Sequence, residues 1–202
     1  KNFRYAILAC LLSFYFDTGI RFLPVVKNIE DVISGCIKKK RASQEVLYRG
    51  YYAYAMTVAS AYSQSDFEAE EIVNDGFMKV FNKLKEYDAS YPFTGWFRRI
   101  IINSAIDHFR KSKKHSFHAE IDQAIGIQAD DLSALDQLSS DELMESVRAL
   151  PTAYRTVFML YVIEGYKHHE IAKKLDISEG TSKSNFARAR QKLQTEINRR
   201  IV

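Results

Sequence analysis

An all-α protein, built as two small helical domains joined by a flexible acidic linker, is what these 202 residues predict, and three observations carry that expectation. From Ile29 onward apolar side chains recur at spacings of three and four. No stretch alternates with period two for long enough to make a strand. Two basic segments flank an acidic one in which helical periodicity is weak. With 47% hydrophobic and 27% charged residues, eight glycines and three prolines, the composition is globular, which excludes collagen-like, low-complexity and largely disordered chains.

Residues 1–27 form an N-terminal extension that stands apart. Tyr5 to Phe16 is nearly all apolar behind Lys1 and Arg4, as in a short secretory h-region, yet it is too short to span a bilayer and no small-x-small cleavage site follows it cleanly. Because the chain opens on Lys, a fragment boundary or a misplaced start is the alternative. Cys10 and Cys36 are too few for a disulfide framework and fit no ligand spacing, so a reducing cytoplasm is the expected location.

The first domain is expected over 28–115. Leu47, Tyr51, Tyr54, Ala55, Val58 and Tyr62 draw one apolar stripe, and Ile72, Val73, Phe77, Val80, Phe81 and Leu84 draw a second. Ser65 or Asp66 caps the second helix, with Glu68, Glu70 and Glu71 in its first turn, where the helix dipole favours anions. Pro92 and Gly95 predict a loop over Tyr87–Gly95, and a further helix follows over Trp96–Phe109. The acidic linker occupies 116–139. The second domain, 140–200, opens with a helix from Ser140 to the Leu150-Pro151 stop, continues with Tyr154–Ile163 up to Gly165, and ends in His168–Leu175 and about Glu179–Ile197, joined by Asp176, Ile177 and Ser178.

Charge follows the same division. Arg98–Lys114 holds six cations against Asp107, Ala119–Val147 holds eight anions and no cation, and Gly180–Val202 holds six cations against Glu196. Such runs are either solvated helix faces or polyanion contacts joined by a tether that avoids polyanions.

The pair His168–Leu175 and Glu179–Ile197 reads as a helix-turn-helix. Ile171, Ala172, Leu175 and Ile177 supply the packing between the helices and Ser178 the cap, while Lys183, Ser184, Ala187, Arg188 and Gln191 share one face. Lys and Arg there reach guanine edges or phosphates, and Ala a thymine methyl. A second candidate site is the aromatic cluster Tyr91, Phe93, Trp96 and Phe97 beside Arg98 and Arg99, suited to an unstacked base and its phosphates. Of these, Trp96 and Phe97 read as core in preference to a ligand contact, leaving the Tyr91–Gly95 loop and Asn103 as the polar positions. No catalytic residue, metal site or cofactor is expected. His168-His169-Glu170 lacks ligand spacing and reads as a solvated helix start, His115 and His118 read as linker, and there is no phosphate-cradling glycine loop.

Three segments together, Glu70–Phe77, Phe93–Asp107 and Gly180–Arg190, in this order and with the acidic linker between the second and third, resemble the extracytoplasmic-function sigma factors of bacterial RNA polymerase. The resemblance covers nearly everything after residue 28. It implies a transcription initiation factor, not an enzyme, with region 2 at 28–115 and region 4 at 140–200. Its implied partners are core RNA polymerase (the β′ clamp helices and the β flap), promoter DNA and a membrane-linked anti-sigma factor, with no small-molecule substrate.

By the same resemblance Asn74, Asp75, Phe77, Met78 and Phe81 contact polymerase. Tyr91, Pro92, Phe93, Thr94, Trp96, Arg98, Arg99, Asn103, Arg110 and Lys111 serve the −10 element, and Lys183, Ser184, Ala187, Arg188 and Arg190 the −35 element. Two positions depart from the family pattern: Ser182 stands where an apolar residue usually packs the recognition helix, and Asn74 replaces a common Gln. The competing classes are an activator that binds an operator without polymerase, and a secreted or membrane-associated helical protein resting on Tyr5–Phe16.

Overall fold

A computed structural model describes residues 26–115 and 140–201. The N-terminal apolar run and the acidic linker, with the expectations attached to them, lie outside the described residues. Eight α-helices occur among the described residues: α1 Ile29–Ile37, α2 Arg41–Ser60, α3 Asp66–Lys83, α4 Phe93–His115, α5 Ser140–Arg148, α6 Thr152–Val162, α7 His168–Leu175 and α8 Glu179–Ile201, with a short 3₁₀ turn at Leu84–Glu86. The chain divides into two compact units, one reaching to Phe109 and the other running on from Arg110.

In the first unit α1 and α2 form a hairpin, and α2 packs on α3. Both predicted stripes are buried: Leu47, Tyr51, Tyr54, Ala55 and Val58 from α2 meet Ile72, Val73, Phe77 and Val80 from α3, and Phe97, Ile101, Ile102, Ala105 and Ile106 of α4 join them. Each large side chain so buried contributes about 1.5–3 kcal/mol. Gly76 receives the Ile101 side chain of α4 directly on its backbone, since a Cβ there would stand 2.5 Å from Ile101 Cδ1. Ser65 is the cap of α3, its Oγ accepting from the Glu68 amide at 3.2 Å. Outside the apolar seam, Lys79 pairs with Asp107 at 2.7 Å, and His108 reaches Glu68 at 3.1 Å.

The α1–α2 turn has an unusual residue in it. Lys39 takes a left-handed conformation (φ 57°), with its amide donating to the Cys36 carbonyl at 2.9 Å and the Lys40 amide to the Gly35 carbonyl at 3.0 Å. That is a Schellman closure, whose left-handed position glycine fills without strain and any other residue at about 1 kcal/mol.

One helix start differs from expectation. α4 begins at Phe93, not Trp96, because Pro92 serves as the entry residue: its carbonyl accepts from the Gly95 and Trp96 amides. Proline is well suited to a helix entrance, and Gly95 lies in the first turn rather than in a loop.

In the second unit, α6, α7 and α5 all pack against α8. Leu143, Met144, Val147, Val157, Phe158, Met159, Leu160, Ile171, Leu175, Ala189, Leu193 and Ile197 make its core. Buried Arg155 donates from Nη1 to the Arg148 carbonyl, satisfying an otherwise orphaned acceptor at the end of α5.

Candidate nucleic-acid interface

Two surfaces gather the polar and cationic residues singled out from the sequence. The first begins at the loop between the 3₁₀ turn and α4. Tyr91 is 68% exposed there. Its backbone is braced on both sides, its amide donating to the Asp88 carbonyl at 3.2 Å and its own carbonyl accepting from the Tyr87 hydroxyl. Beneath the loop lies a stack of rings: Tyr87 meets Phe93 edge-on at 5.2 Å and Trp96 at 5.4 Å, and Phe93 meets Tyr51 edge-on at 5.2 Å. Edge-to-face pairs of this kind add about 0.5–1.5 kcal/mol beyond area burial.

The burial of these rings sorts the expected contacts. Phe93 is 5% exposed, so its ring is core and not a DNA contact. Thr94 is turned inward, its hydroxyl 3.5 Å from the Tyr51 hydroxyl. Pro92 is exposed, and Trp96 is half-buried with one side on Tyr87 and Phe93. Phe97 is fully buried. Along α4, Arg99 and Asn103 are exposed one turn apart, Arg98 and Arg110 are half-buried, and Lys111 is exposed. Arg99, Asn103 and Arg110 recur at four and seven, which is one helix face.

The outer face of α3 carries a different set. Asp75 is exposed, Met78 is 62% exposed, and exposed Asn74 accepts from the Tyr48 hydroxyl at 3.3 Å. Phe81 is half-buried with its ring 6.1 Å from Phe77. Phe77 itself is 2% exposed and touches Tyr48, Phe81 and Phe97, so it supports this face from inside and does not contact a partner. Phe67 was not foreseen. At 71% exposed and eleven residues before Met78, it shares that residue's face. Its signal was legible, because it stands five residues ahead of Ile72 and out of register with the buried stripe.

The second surface is the helix-turn-helix. The turn is tied by several hydrogen bonds: left-handed Asp176 ends α7, the Ile177 amide donates to the Ala172 carbonyl at 3.1 Å, and Ser178 Oγ accepts from the Thr181 amide at 2.9 Å to start α8. At the start of α7 the Glu170 carboxylate accepts from the Lys167 amide at 2.7 Å. His168 is not a solvated helix start. Its ring stacks on Tyr161 at 4.5 Å and meets Phe186 at 5.8 Å, and its Nδ1 lies 3.0 Å from Ser182 Oγ. Ser182 is wholly buried, so the polar residue at an apolar position is satisfied by a histidine on the preceding helix. Burial holds the His168 pKa below the ordinary imidazole value, and the nearby Lys183 ammonium adds to the effect.

On the outer face of α8, Lys183 is exposed and paired with Glu179 at 2.7 Å. Ser184 donates to the Thr181 carbonyl of its own helix at 3.0 Å, and Ala187 and Arg190 are half-buried. Arg188 Nη1 donates to the Tyr154 hydroxyl at 3.3 Å, with its guanidinium over that ring, so α6 aims this cation. The exposed i,i+4 pair of Glu179 and Lys183 is screened by solvent and holds Lys183 only weakly. Among the described residues no group of three or more His, Cys, Asp or Glu is arranged to hold a metal, and no helix is long and apolar enough to cross a membrane.

Comparison with known proteins gives the family. Residues 47–115 match the Sigma-70 region 2 family and residues 140–193 the Sigma-70, region 4 family. The chain is 31% identical over 141 residues to the ECF RNA polymerase sigma factor SigW of Bacillus subtilis (strain 168), covering 64% of this chain and 75% of that protein. It is 30% identical over 136 residues to SigM of the same organism, covering 66% and 82%. Against SigE of Mycolicibacterium smegmatis it is 27% identical over 157 residues, 75% of this chain but 60% of that longer relative. Among solved structures, the sigma factor RpoE co-crystallised with the anti-sigma factor NepR from Bartonella quintana aligns over 79% of this chain and 98% of its own, at 23% identity and a TM-score of 0.43. Matches to both sigma regions, in this order and with this extent of identity to SigW and SigM, make the chain a member of the sigma-70 family, among the ECF sigma factors that act with RNA polymerase in promoter recognition and transcription initiation.

Proposed function

We propose that the chain opens promoters in two steps, with the second unit holding the −35 duplex and the loop before α4 trapping an unstacked base of the −10 element. The observation that carries this reading is Tyr91, a large, exposed ring on a loop fastened to a buried aromatic stack and followed by Arg99 and Asn103 on one helix face. In this reading Tyr91, Pro92 and Trp96 form the edge of the base site, and Asn103 reads the base. Arg98, Arg99, Arg110 and Lys111 hold phosphates, while Phe93 and Thr94 position the loop from beneath. Lys183, Ser184, Ala187, Arg188 and Arg190 face the −35 major groove. Asn74, Asp75, Met78 and Phe81, with Phe67 added, dock on the polymerase clamp. Residues 28–115 and 140–200 act as the two recognition domains in the cytoplasm, and an anti-sigma protein is the further partner.

Transcription from a duplex promoter and from a pre-melted one separates the steps. Tyr91→Ala and Asn103→Ala should bind core polymerase normally and transcribe the pre-melted template, but fail on the duplex, since melting must offset a few kcal/mol of unstacking. Equal failure on both templates, or normal opening, would make the loop structural. Arg188→Ala should cost about 1–3 kcal/mol of duplex affinity together with discrimination at one base pair.

A further inference from the structure

The function proposed above leaves the α1–α2 turn unused. Lys38, Lys39, Lys40 and Arg41 are consecutive and all exposed. No acidic residue occurs between Asp31 and Glu45, and Glu45 is already matched by Arg49 at 2.8 Å. Four adjacent cations at one tight turn produce a strong local positive potential on a chain whose formal net charge is only +4.

The turn also breaks a local rule. Its left-handed position is occupied by Lys39, although glycine would fit there without strain, so the sequence keeps a cation where the backbone favours its absence. Residues that violate local preference without a packing gain are expected where function requires them.

Its place in the fold indicates what it meets. Tyr51 of α2 touches Phe93 at the entrance of α4, and Lys40 lies eleven residues before Tyr51, about 16 Å along the helix. α3 runs antiparallel to α2, with Phe77 against Tyr48, so its C-terminus and the Leu84–Glu86 turn lead toward the same end. The 3₁₀ turn packs against α1. The cationic turn therefore lies toward the same end of the first unit as the 3₁₀ turn that leads into the aromatic loop, about 16 Å along α2 from the Tyr51–Phe93 contact.

We propose that Lys38, Lys39, Lys40 and Arg41 form a phosphate-contacting patch that grips promoter DNA beyond the captured base. This rests on the reading that the aromatic loop faces DNA. The contact is with the backbone and carries no sequence preference.

The test uses holoenzyme assembled from core polymerase and the full chain. Promoter association is measured from low to high potassium chloride for the wild type, for Lys39→Gly, and for a quadruple variant with Lys39→Gly and glutamine at the other three positions. Each lost phosphate contact lowers the log–log salt slope by about 0.9 on duplex and about 0.7 on a single strand. The quadruple variant should lose at least two from the slope with core binding unchanged. Lys39→Gly alone should lose about one while its thermal midpoint stays the same or rises, which separates charge from fold. A loss retained on a pre-melted template assigns the phosphates to the single strand, and a loss confined to the duplex template assigns them to duplex. An unchanged slope would overturn the proposal, as would weakened core binding with an unchanged slope, which would make the patch a contact for an acidic protein surface. Lowered slopes alongside normal opening by Tyr91→Ala would keep the patch and discard the base-trapping loop.

Discussion

In the first unit the loop before α4 stands on rings, Tyr51, Tyr87, Phe93 and Trp96, and its cations lie on a helix face held from inside by Phe97 and Ile101. In the second unit the recognition helix is fixed by polar pairs: Ser178 on the Thr181 amide, Ser182 on His168, and Arg188 on Tyr154. Rings tolerate small shifts and are indifferent to pH. Hydrogen bonds set direction closely, and one of these involves a titratable group. Cations are thus held at the surface by apolar packing in one unit and by directional polar contacts in the other.

Substitutions can break this contrast, beginning with the largest effect. Phe97→Ala should remove about 3–5 kcal/mol from the first unit, because the ring is fully buried against Tyr51 and Phe77, and urea unfolding followed by aromatic fluorescence would measure it. Ser182→Ala should cost the second unit about 1–3 kcal/mol by leaving His168 Nδ1 unpaired, with part of that recovered when His168→Phe is added.

His168 also sharpens the contrast through pH. Its folded pKa lies below the unfolded value, so above about pH 6.5 the ring is neutral in both states and contributes no pH dependence. As pH falls through 6.5 the unfolded chain takes up a proton that the folded ring resists, and stability is lost with falling pH. Denaturation midpoints at pH 7.5 and 5.5 should therefore differ more for the wild type than for His168→Phe.

Ser65→Ala should cost about 1 kcal/mol through the lost cap of α3, measurable as a lowered thermal midpoint. Smallest in stability is Met78→Ser, within about 0.5 kcal/mol, which should nevertheless weaken assembly with core polymerase in a co-purification assay if the α3 face docks there.

Much of this was readable in the residues because the signals were local. The turn Asp176–Ser178, the cap at Ser178 and the stripes on α2 and α3 depend on neighbours within a few positions. What escaped was decided at a distance. His168 looks like one of three solvated polar residues until Tyr161, Phe186 and Ser182 close around it from two other helices. Phe77 and Phe93 match family contact positions in sequence, yet their rings point inward. The start of α4 is hard to read from sequence because Pro92 and Gly95 signal a loop equally well as a helix entrance.

Gly76 acts as a seat. By letting the Ile101 side chain rest against bare backbone, it gives α3 and α4 a close seam, and the two helices present different groups on their outer sides: Asn74, Asp75 and Met78 on one, Arg99 and Asn103 on the other. A single methyl group at position 76 would press on Ile101 Cδ1 and force that fully buried side chain to repack, while the Ile101 Cα, 3.8 Å away, would stay in ordinary contact. The packing of one side chain in the α3–α4 seam is thereby set by a hydrogen atom in the interior.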